Sequence, residues 1–185
     1  EKTGQQMEKI DTLLSVTDLV MLDIKHMEEE AHKKLTTHSA KHSQSFAKYL
    51  DQKEIPIWIR HVVVPGITDR KEELEALGSF LAQLSHVEKV EMLPYHSMGK
   101  VKYDALGISY PLGELRQLTK EEAKEAYNIV MQACNAKKAE SIINAFRLHN
   151  KRLRTKTLSA ACSFYLHTFR KTDTTDEGPA LFGMP

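Results

Sequence analysis

The chain has 185 residues, of which 41% are hydrophobic and 28% are charged, proportions typical of a globular domain rather than a disordered or fibrous protein. No apolar run is long enough to predict a membrane span, and the first residues do not have the pattern of a signal peptide. The two cysteines, Cys134 and Cys162, favour a reducing compartment over a disulfide scaffold. We therefore predict a cytoplasmic protein without a membrane partner.

The formal net charge of +1 is unevenly distributed along the chain. Residues 147–185 hold seven lysines and arginines against three acids, which places +4 there and leaves −3 on the first 146 residues. The tail is therefore predicted to differ from the body of the chain.

The body alternates helix and strand. Its apolar spacing predicts a first helix over 5–14, with Met7, Ile10, Leu13 and Leu14 on one face. Further helices are predicted over 28–35 and from the cap Ser39 to 52, and two more open at the capping boxes Asp69/Glu72 and Thr119/Glu122. The last is predicted to carry one apolar side, formed by Ala123, Ala126, Tyr127, Val130 and Cys134. Strands are predicted over 18–27, 57–64 and 87–93, and strands separated by helices indicate a parallel sheet.

The chemistry is predicted to lie at the carboxyl ends of these strands. In DLVMLDIKHM, residues 18–27, apolar residues on both faces predict a strand covered on both sides. Asp23 and Lys25 follow on one face, at the end where parallel α/β sheets bind ligands. The alternative is an ordinary buried strand that ends in a solvated turn.

The other two strands also end in polar groups. Arg60 shares a face with Trp58, Val62 and Val64, and a guanidinium in an apolar row needs a partner. Either Asp23 or the carboxylate of a ligand would serve. His96, just past the third strand, is either a surface residue or a third group at the same rim. We expect Asp23, Lys25, Arg60 and His96 to converge on one mouth of the sheet.

Three strings, DLVMLDIKHM, WIRHVVVPGITD and VEKVEMLPYHSMGKVKY, closely resemble the glycyl-radical-enzyme activating family of radical S-adenosylmethionine enzymes. The resemblance runs from about Leu13 to Tyr127. It implies an α/β fold, a partial parallel (β/α) barrel that corresponds to the C-terminal half of a radical SAM (β/α)6 barrel. It also implies an oxidoreductase that cleaves S-adenosylmethionine at a [4Fe-4S] cluster and forms a glycyl radical on a partner enzyme.

The resemblance assigns roles to individual residues. Lys25, His26, Met27 and His96 match cofactor-contacting positions, and Asp23 matches an acid at the cofactor end that helps to hold a monovalent cation. Arg60 matches an arginine that faces the cofactor and the partner's glycyl loop. The strings near Arg60 and His96 favour pyruvate formate-lyase as the partner, with another glycyl radical enzyme as the alternative. The resemblance also implies a low-potential electron donor such as flavodoxin or ferredoxin.

The chain also departs from the family pattern. The C-x3-C-x2-C motif that ligates the cluster is missing, as are the Gly-Gly-Glu and Asp-Thr segments. We therefore predict a fragment with no catalytic residue and no metal ligand of its own, inactive alone and with an open sheet edge. Cys134 and Cys162 are predicted to be small buried hydrophobes.

The end of the chain matches nothing in the family. Residues 1–134 are predicted to be the C-terminal part of the radical SAM domain, and residues 135–185 an unplaced basic tail that is disordered or non-native. Its basic residues alternate with Phe146, Phe164, Tyr165 and Phe169, a pattern that also occurs in nucleic-acid-binding proteins. A non-catalytic module with a nucleic-acid-binding tail is thus the alternative from another functional class.

Overall fold

The structure is a computed structural model that describes residues 4–169, with side chains up to residue 149. Its helices are α1 (Gly4–Leu14), α2 (Glu29–Thr36), α3 (Ala40–Gln52), α4 (Lys71–Leu81), α5 (Lys100–Ala105) and α6 (Lys120–Phe169). The strands are β1 (Val20–Asp23), β2 (Ile57–Val63) and β3 (Val87–Pro94), and a short 3-10 turn covers Ser97–Gly99.

The three strands form one parallel sheet in the order β1-β2-β3. Helices α2 and α3 connect β1 to β2, and α4 connects β2 to β3, as expected for parallel strands that need long crossovers. The predicted α/β class and parallel sheet are confirmed. An open sheet of three strands fits a part of a (β/α) barrel.

The two faces of the sheet differ in burial, although the pattern of the first strand predicted that it would be covered on both sides. In β2, Ile57, Ile59, His61 and Val63 are at most 1% exposed and share one core with helical residues such as Leu50 and Leu77. Trp58, Arg60 and Val62 alternate with them and are only half-buried. On β1, Met21 of this second face is 56% exposed. The second face is partly buried and therefore also contains apolar residues. For this reason the sequence pattern did not reveal that the two faces differ in burial.

The helices bury the predicted apolar stripes with two exceptions. Leu74, Leu77, Leu81 and Leu84 of the α4 region lie in the core, and so do Ala123, Ala126, Val130 and Cys134 of α6. Leu13 is 65% exposed, because Leu14 takes the core position at the end of α1. Tyr127 is 37% exposed, since Ala126 and Val130 face the core instead.

Only one of the two predicted capping boxes forms. Glu122 N–H donates to Thr119 Oγ1 at 3.1 Å, and Thr119 N–H donates to Glu122 Oε2 at 2.9 Å, which closes the box at the start of α6. At α4 the prediction is wrong. The Asp69 carboxylate instead accepts from Gly66 N–H at 2.7 Å in the preceding turn, and α4 begins without a side-chain cap.

The chain divides into two compact units, Glu1–Ala139 and Glu140–Pro185. The first contains the sheet and α1 to α5. In the second, residues 140–169 are helical, and Ile142, Ile143, Phe146 and Leu148 are exposed. The sequence-based boundary at residue 134 marks where the family resemblance ends, whereas the boundary after Ala139 separates compact units. The boundary at 134 stays a prediction. None of the helices in the described range is both long and apolar enough to cross a bilayer.

Candidate functional site

A charged row crosses the half-buried face of the sheet. The register aligns Asp23 of β1 with Arg60 of β2, and Arg60 with Glu91 of β3. Arg60 Nε donates to Asp23 Oδ1 at 2.8 Å. Of the two partners that the sequence left open for Arg60, the structure therefore shows the neighbouring acid.

Asp23 holds a second cation as well. Lys25 lies two residues further along the same face, and its Nζ donates to Asp23 Oδ2 at 3.0 Å. Burial alone would raise the pKa of Asp23, but the Lys25 ammonium and the Arg60 guanidinium outweigh it and lower that pKa below its ordinary value. One ionised carboxylate thus sits between two cations.

These groups can be reached from outside. The side chains of Lys25, Asp23 and Arg60 are 39%, 35% and 35% exposed. Further along the row, Glu91 is ion-paired with Lys89, whose ammonium lies 4.6 Å from the centre of the Trp58 ring. The three cations and two carboxylates of this face leave one net positive charge, which suits a ligand with a carboxylate or another anionic group.

Behind the row, two histidines are buried on the helix side of the sheet. His26 and His61 are each 1% exposed, although His26 directly follows the solvent-accessible Lys25. His61 Nδ1 donates to the carbonyl oxygen of Ile24 at 2.7 Å. Burial lowers the pKa of both imidazoles below the ordinary value. Each ring keeps a buried Nε2 without a hydrogen-bond partner among the described residues.

Glu73 of α4 is the acid that faces this region. It is 5% exposed, and its Oε1 accepts from Met27 N–H at 2.6 Å while its Oε2 lies 2.9 Å from His26 Nδ1. Burial raises the pKa of Glu73 above its ordinary value. Sequence analysis missed both Glu73 and His61. The available signal was a polar residue within an apolar stripe, beside Leu74 and Leu77 for Glu73 and between Ile59 and Val63 for His61.

The remaining predicted site residues occupy different surroundings. His26 lies in the interior rather than at the open face, and the main chain of Met27 is held by Glu73 and by Gln44, whose Nε2 donates to Met27 O at 2.9 Å. His96 follows β3 at the same carboxyl edge and is exposed. Among the described residues, no hydrogen bond or ion pair joins His96 to Asp23, Lys25 or Arg60. The structure therefore brings three of the four expected rim residues into direct contact.

The described residues include no group of three histidines, cysteines or acids arranged to hold a metal ion. Cys134 is 4% exposed in the core beside α4, the position of a small buried hydrophobe. Cys162 lies where side chains are not described. The same holds for Phe164, Tyr165 and Phe169 and for most basic residues of the tail, so the nucleic-acid alternative stays a prediction.

No family model matches the chain. Its sequence is 44% identical over 128 residues to the pyruvate formate-lyase-activating enzyme of Streptococcus mutans, which covers 69% of this chain and 49% of the relative. It is 48% identical over 120 residues to the enzyme of that name in Staphylococcus epidermidis, covering 65% and 48%. The pyruvate formate-lyase 1-activating enzyme of Escherichia coli is 45% identical over 123 residues, covering 66% and 50%.

The chain is a homologue of pyruvate formate-lyase-activating enzymes over about two thirds of its length. It spans about half the length of these curated relatives. A solved domain of a pyruvate formate-lyase-activating enzyme from Bacteroides vulgatus superimposes with a TM-score of 0.55 at 18% identity, over 68% of this chain and 69% of that one. That structure supports the fold, while the sequence identities support the relationship to the activating enzymes.

Proposed function

We propose that this chain supplies the S-adenosylmethionine-binding edge of a pyruvate formate-lyase-activating enzyme, a radical S-adenosylmethionine oxidoreductase. One observation carries the proposal. In a homologue of these enzymes, an accessible carboxylate at the carboxyl edge of the sheet is flanked by Lys25 and Arg60. When bound, S-adenosylmethionine would supply the adenosyl group from which such enzymes form their radical.

The residues present fit the amino-acid end of that cofactor. The Lys25 ammonium would pair with the methionine carboxylate, a charge-assisted contact. Arg60 binds Asp23 through Nε, and among the described residues its terminal nitrogens make no hydrogen bond, so they can face the cofactor or the partner's glycyl loop. Asp23 would keep both cations oriented and contribute to a monovalent-cation site. His96 would approach from the end of β3.

The described residues do not fit a [4Fe-4S] cluster, since they include no set of three candidate ligands. In this proposal the thiolates that hold the cluster belong to another part of the protein. The flavodoxin or ferredoxin donor stays a prediction for the same reason. Pyruvate formate-lyase is the proposed partner, because each curated relative named above carries that enzyme in its name.

A chimera tests this proposal. The 123 matching residues of the Escherichia coli relative are replaced by those of this chain, and the cluster is reconstituted under anaerobic conditions. We expect cofactor cleavage and an electron paramagnetic resonance signal of a glycyl radical on pyruvate formate-lyase. The unmodified relative is the positive control.

Two variants of the chimera sharpen the result. Lys25→Ala should weaken cofactor binding, whereas Lys41→Ala, an exposed lysine on α3, should leave it unchanged. A chimera that folds and holds its cluster but neither binds nor cleaves S-adenosylmethionine would refute the proposal. A chimera that cleaves the cofactor but leaves pyruvate formate-lyase without a radical would favour another glycyl radical enzyme as the partner.

A further inference from the structure

The segment after β1 leaves the sheet at the point where the proposed ligand contacts begin. The ladder continues for one more bond, from Ile24 N–H to Arg60 O at 3.0 Å, after β1 has ended at Asp23. Beyond this bond, the side chain of Lys25 lies on the open side of the sheet and that of His26 on the buried side. The direction of Lys25 therefore depends on what holds this short stretch of main chain.

Side chains from three different elements hold it. His61 of β2 donates to Ile24 O at 2.7 Å, and Gln44 of α3 donates to Met27 O at 2.9 Å. Glu73 of α4 accepts from Met27 N–H at 2.6 Å and also contacts the His26 ring at 2.9 Å. Among these three side chains, Glu73 alone contacts both the main chain and a side chain of the segment.

A carboxyl group is a costly choice for a buried position beside Leu74 and Leu77, where an apolar residue would add to the core. A buried N–H also needs an acceptor, and Glu73 provides one for Met27. Its second contact, to His26, goes beyond that need, because His26 Nδ1 already accepts from Glu28 N–H at 3.1 Å. The arrangement serves the orientation of the segment as well as the satisfaction of one donor.

We propose that Glu73 is a positioning residue, which fixes the Lys25–Met27 segment from behind and thereby directs the Lys25 ammonium toward the ligand. This inference rests on the proposed function, since it concerns the same site. Glu73 itself does not touch the ligand. It acts through the main chain of Met27 and the ring of His26.

Glutamine has the size and the oxygen acceptor needed to replace Glu73 in these contacts. His26 Nδ1 accepts from Glu28 N–H at 3.1 Å and also lies 2.9 Å from Glu73 Oε2. Burial raises the pKa of Glu73 above its ordinary value, because it disfavours the charged form. A carboxamide at this position keeps an oxygen that can accept from Met27 N–H and a polar group beside His26.

The test uses the complete 185-residue chain with two substitutions. Glu73→Gln keeps an acceptor for Met27 N–H and a polar group beside His26, while Glu73→Met keeps the volume and loses both. Glu72→Ala, at an exposed neighbouring position on α4, is the matched control. Amide hydrogen exchange at Met27 reports the hold on the segment, and chemical-shift changes at Lys25 during titration with S-adenosylmethionine report the ligand contact.

In Glu73→Met we expect Met27 to exchange at least about tenfold faster, as for a lost buried hydrogen bond, and S-adenosylmethionine to bind more weakly. Glu73→Gln and Glu72→Ala should match the wild type in both measurements. Unchanged Met27 exchange in Glu73→Met would overturn the inference. A Met variant that fails to fold while Glu73→Gln folds would also overturn it, because the role would then be structural.

The two measurements separate this inference from the proposed function. Faster exchange at Met27 with unchanged S-adenosylmethionine binding would contradict the positioning role and leave the proposed function standing. Faster exchange without any effect of S-adenosylmethionine on the wild type would refute the proposed function, and with it the ligand-directing role of Glu73.

Discussion

At the scale of single residues, Asp23 decides how the open face of the sheet behaves. It accepts from Lys25 at 3.0 Å and from Arg60 at 2.8 Å, and all three side chains are more than one third exposed. Ion pairs with this exposure contribute little to folding, because water screens them. The trio is therefore better explained as part of a binding site than as an anchor of the fold.

Replacing Asp23 tests that explanation. We expect Asp23→Asn to lower the free energy of unfolding by no more than about 1 kcal/mol, since exposed pairs contribute about that much at most. Urea unfolding of the 185-residue chain measures the change. A loss of about 3 kcal/mol or more, typical of a broken buried pair, would show that the trio mainly stabilises the fold.

The buried acid Glu73 predicts a pH dependence of stability. Burial raises its pKa above the ordinary value of 4.5, and Glu28 adds to this, while Met27 N–H and Arg70 oppose it. Because the folded protein keeps a proton that the unfolded chain releases, stability falls as pH rises above 4.5 toward the raised pKa. The pKa of His26 is lowered by burial and by Arg70 and His32. His26 therefore acts in the opposite direction, and the protein loses stability as pH falls below 6.5.

Comparison with Glu73→Gln isolates the effect of Glu73, since glutamine does not titrate in this range. We expect the wild type to lose stability relative to the variant as pH rises from 4.5. Urea unfolding at a series of pH values follows the difference between the two proteins. A constant difference across the series would mean that Glu73 has an ordinary pKa in the fold.

At the scale of secondary-structure elements, the contact between α4 and the first part of α6 depends on one glycine. A Cβ atom at Gly78 would lie 2.3 Å from Val130 O, 2.8 Å from Ala133 Cβ and 3.0 Å from Cys134 N. Real Cβ atoms do not come so close to a neighbouring main chain. The absence of a side chain at Gly78 thus allows the two helices to pack closely in the core formed with Leu77 and Val130.

We expect Gly78→Ala to destabilise the protein by about 1–3 kcal/mol, the usual range for an overpacked core. Gly99→Ala is the matched control, because nothing lies within 4 Å of its Cβ position and its φ of −64° suits alanine. Thermal or urea unfolding compares the two variants. Equal stability of Gly78→Ala and Gly99→Ala would contradict the close contact.

Local signals predicted the three strands and every helix of the described residues except α5, and the misses among caps and contacts have physical causes. The strands and the stripe of α4 follow from periodicity, and the Thr119/Glu122 box from its spacing. Asp69 and Glu72 have the same spacing, but Gly66 N–H competes for the Asp69 carboxylate. Gly78 looked like any glycine within a helix, because its role depends on a helix about fifty residues further along the chain.

At the scale of the whole molecule, the parallel sheet could be predicted from strands separated by helices, and Asp23 was one of the two partners expected for Arg60. The contacts of Glu73 with Met27 and His26, behind the sheet, could not be predicted. Whether Glu73 is buried depends on His26 and Met27, which lie 46 or more residues away and approach it only through the crossover between strands. The half-buried second face was also missed, because apolar residues such as Met21, Trp58 and Val62 lie on it between the charged ones.

Titration of the ¹⁵N-labelled 185-residue chain with S-adenosylmethionine, followed by two-dimensional NMR, tests the central claim most directly. If the cofactor binds at this edge of the sheet, we expect saturable shifts at Asp23, Lys25, Met27 and Arg60, with those shifts reduced in Lys25→Ala and retained in Lys41→Ala. Saturable shifts confined to other parts of the protein, or none at millimolar cofactor, would contradict it.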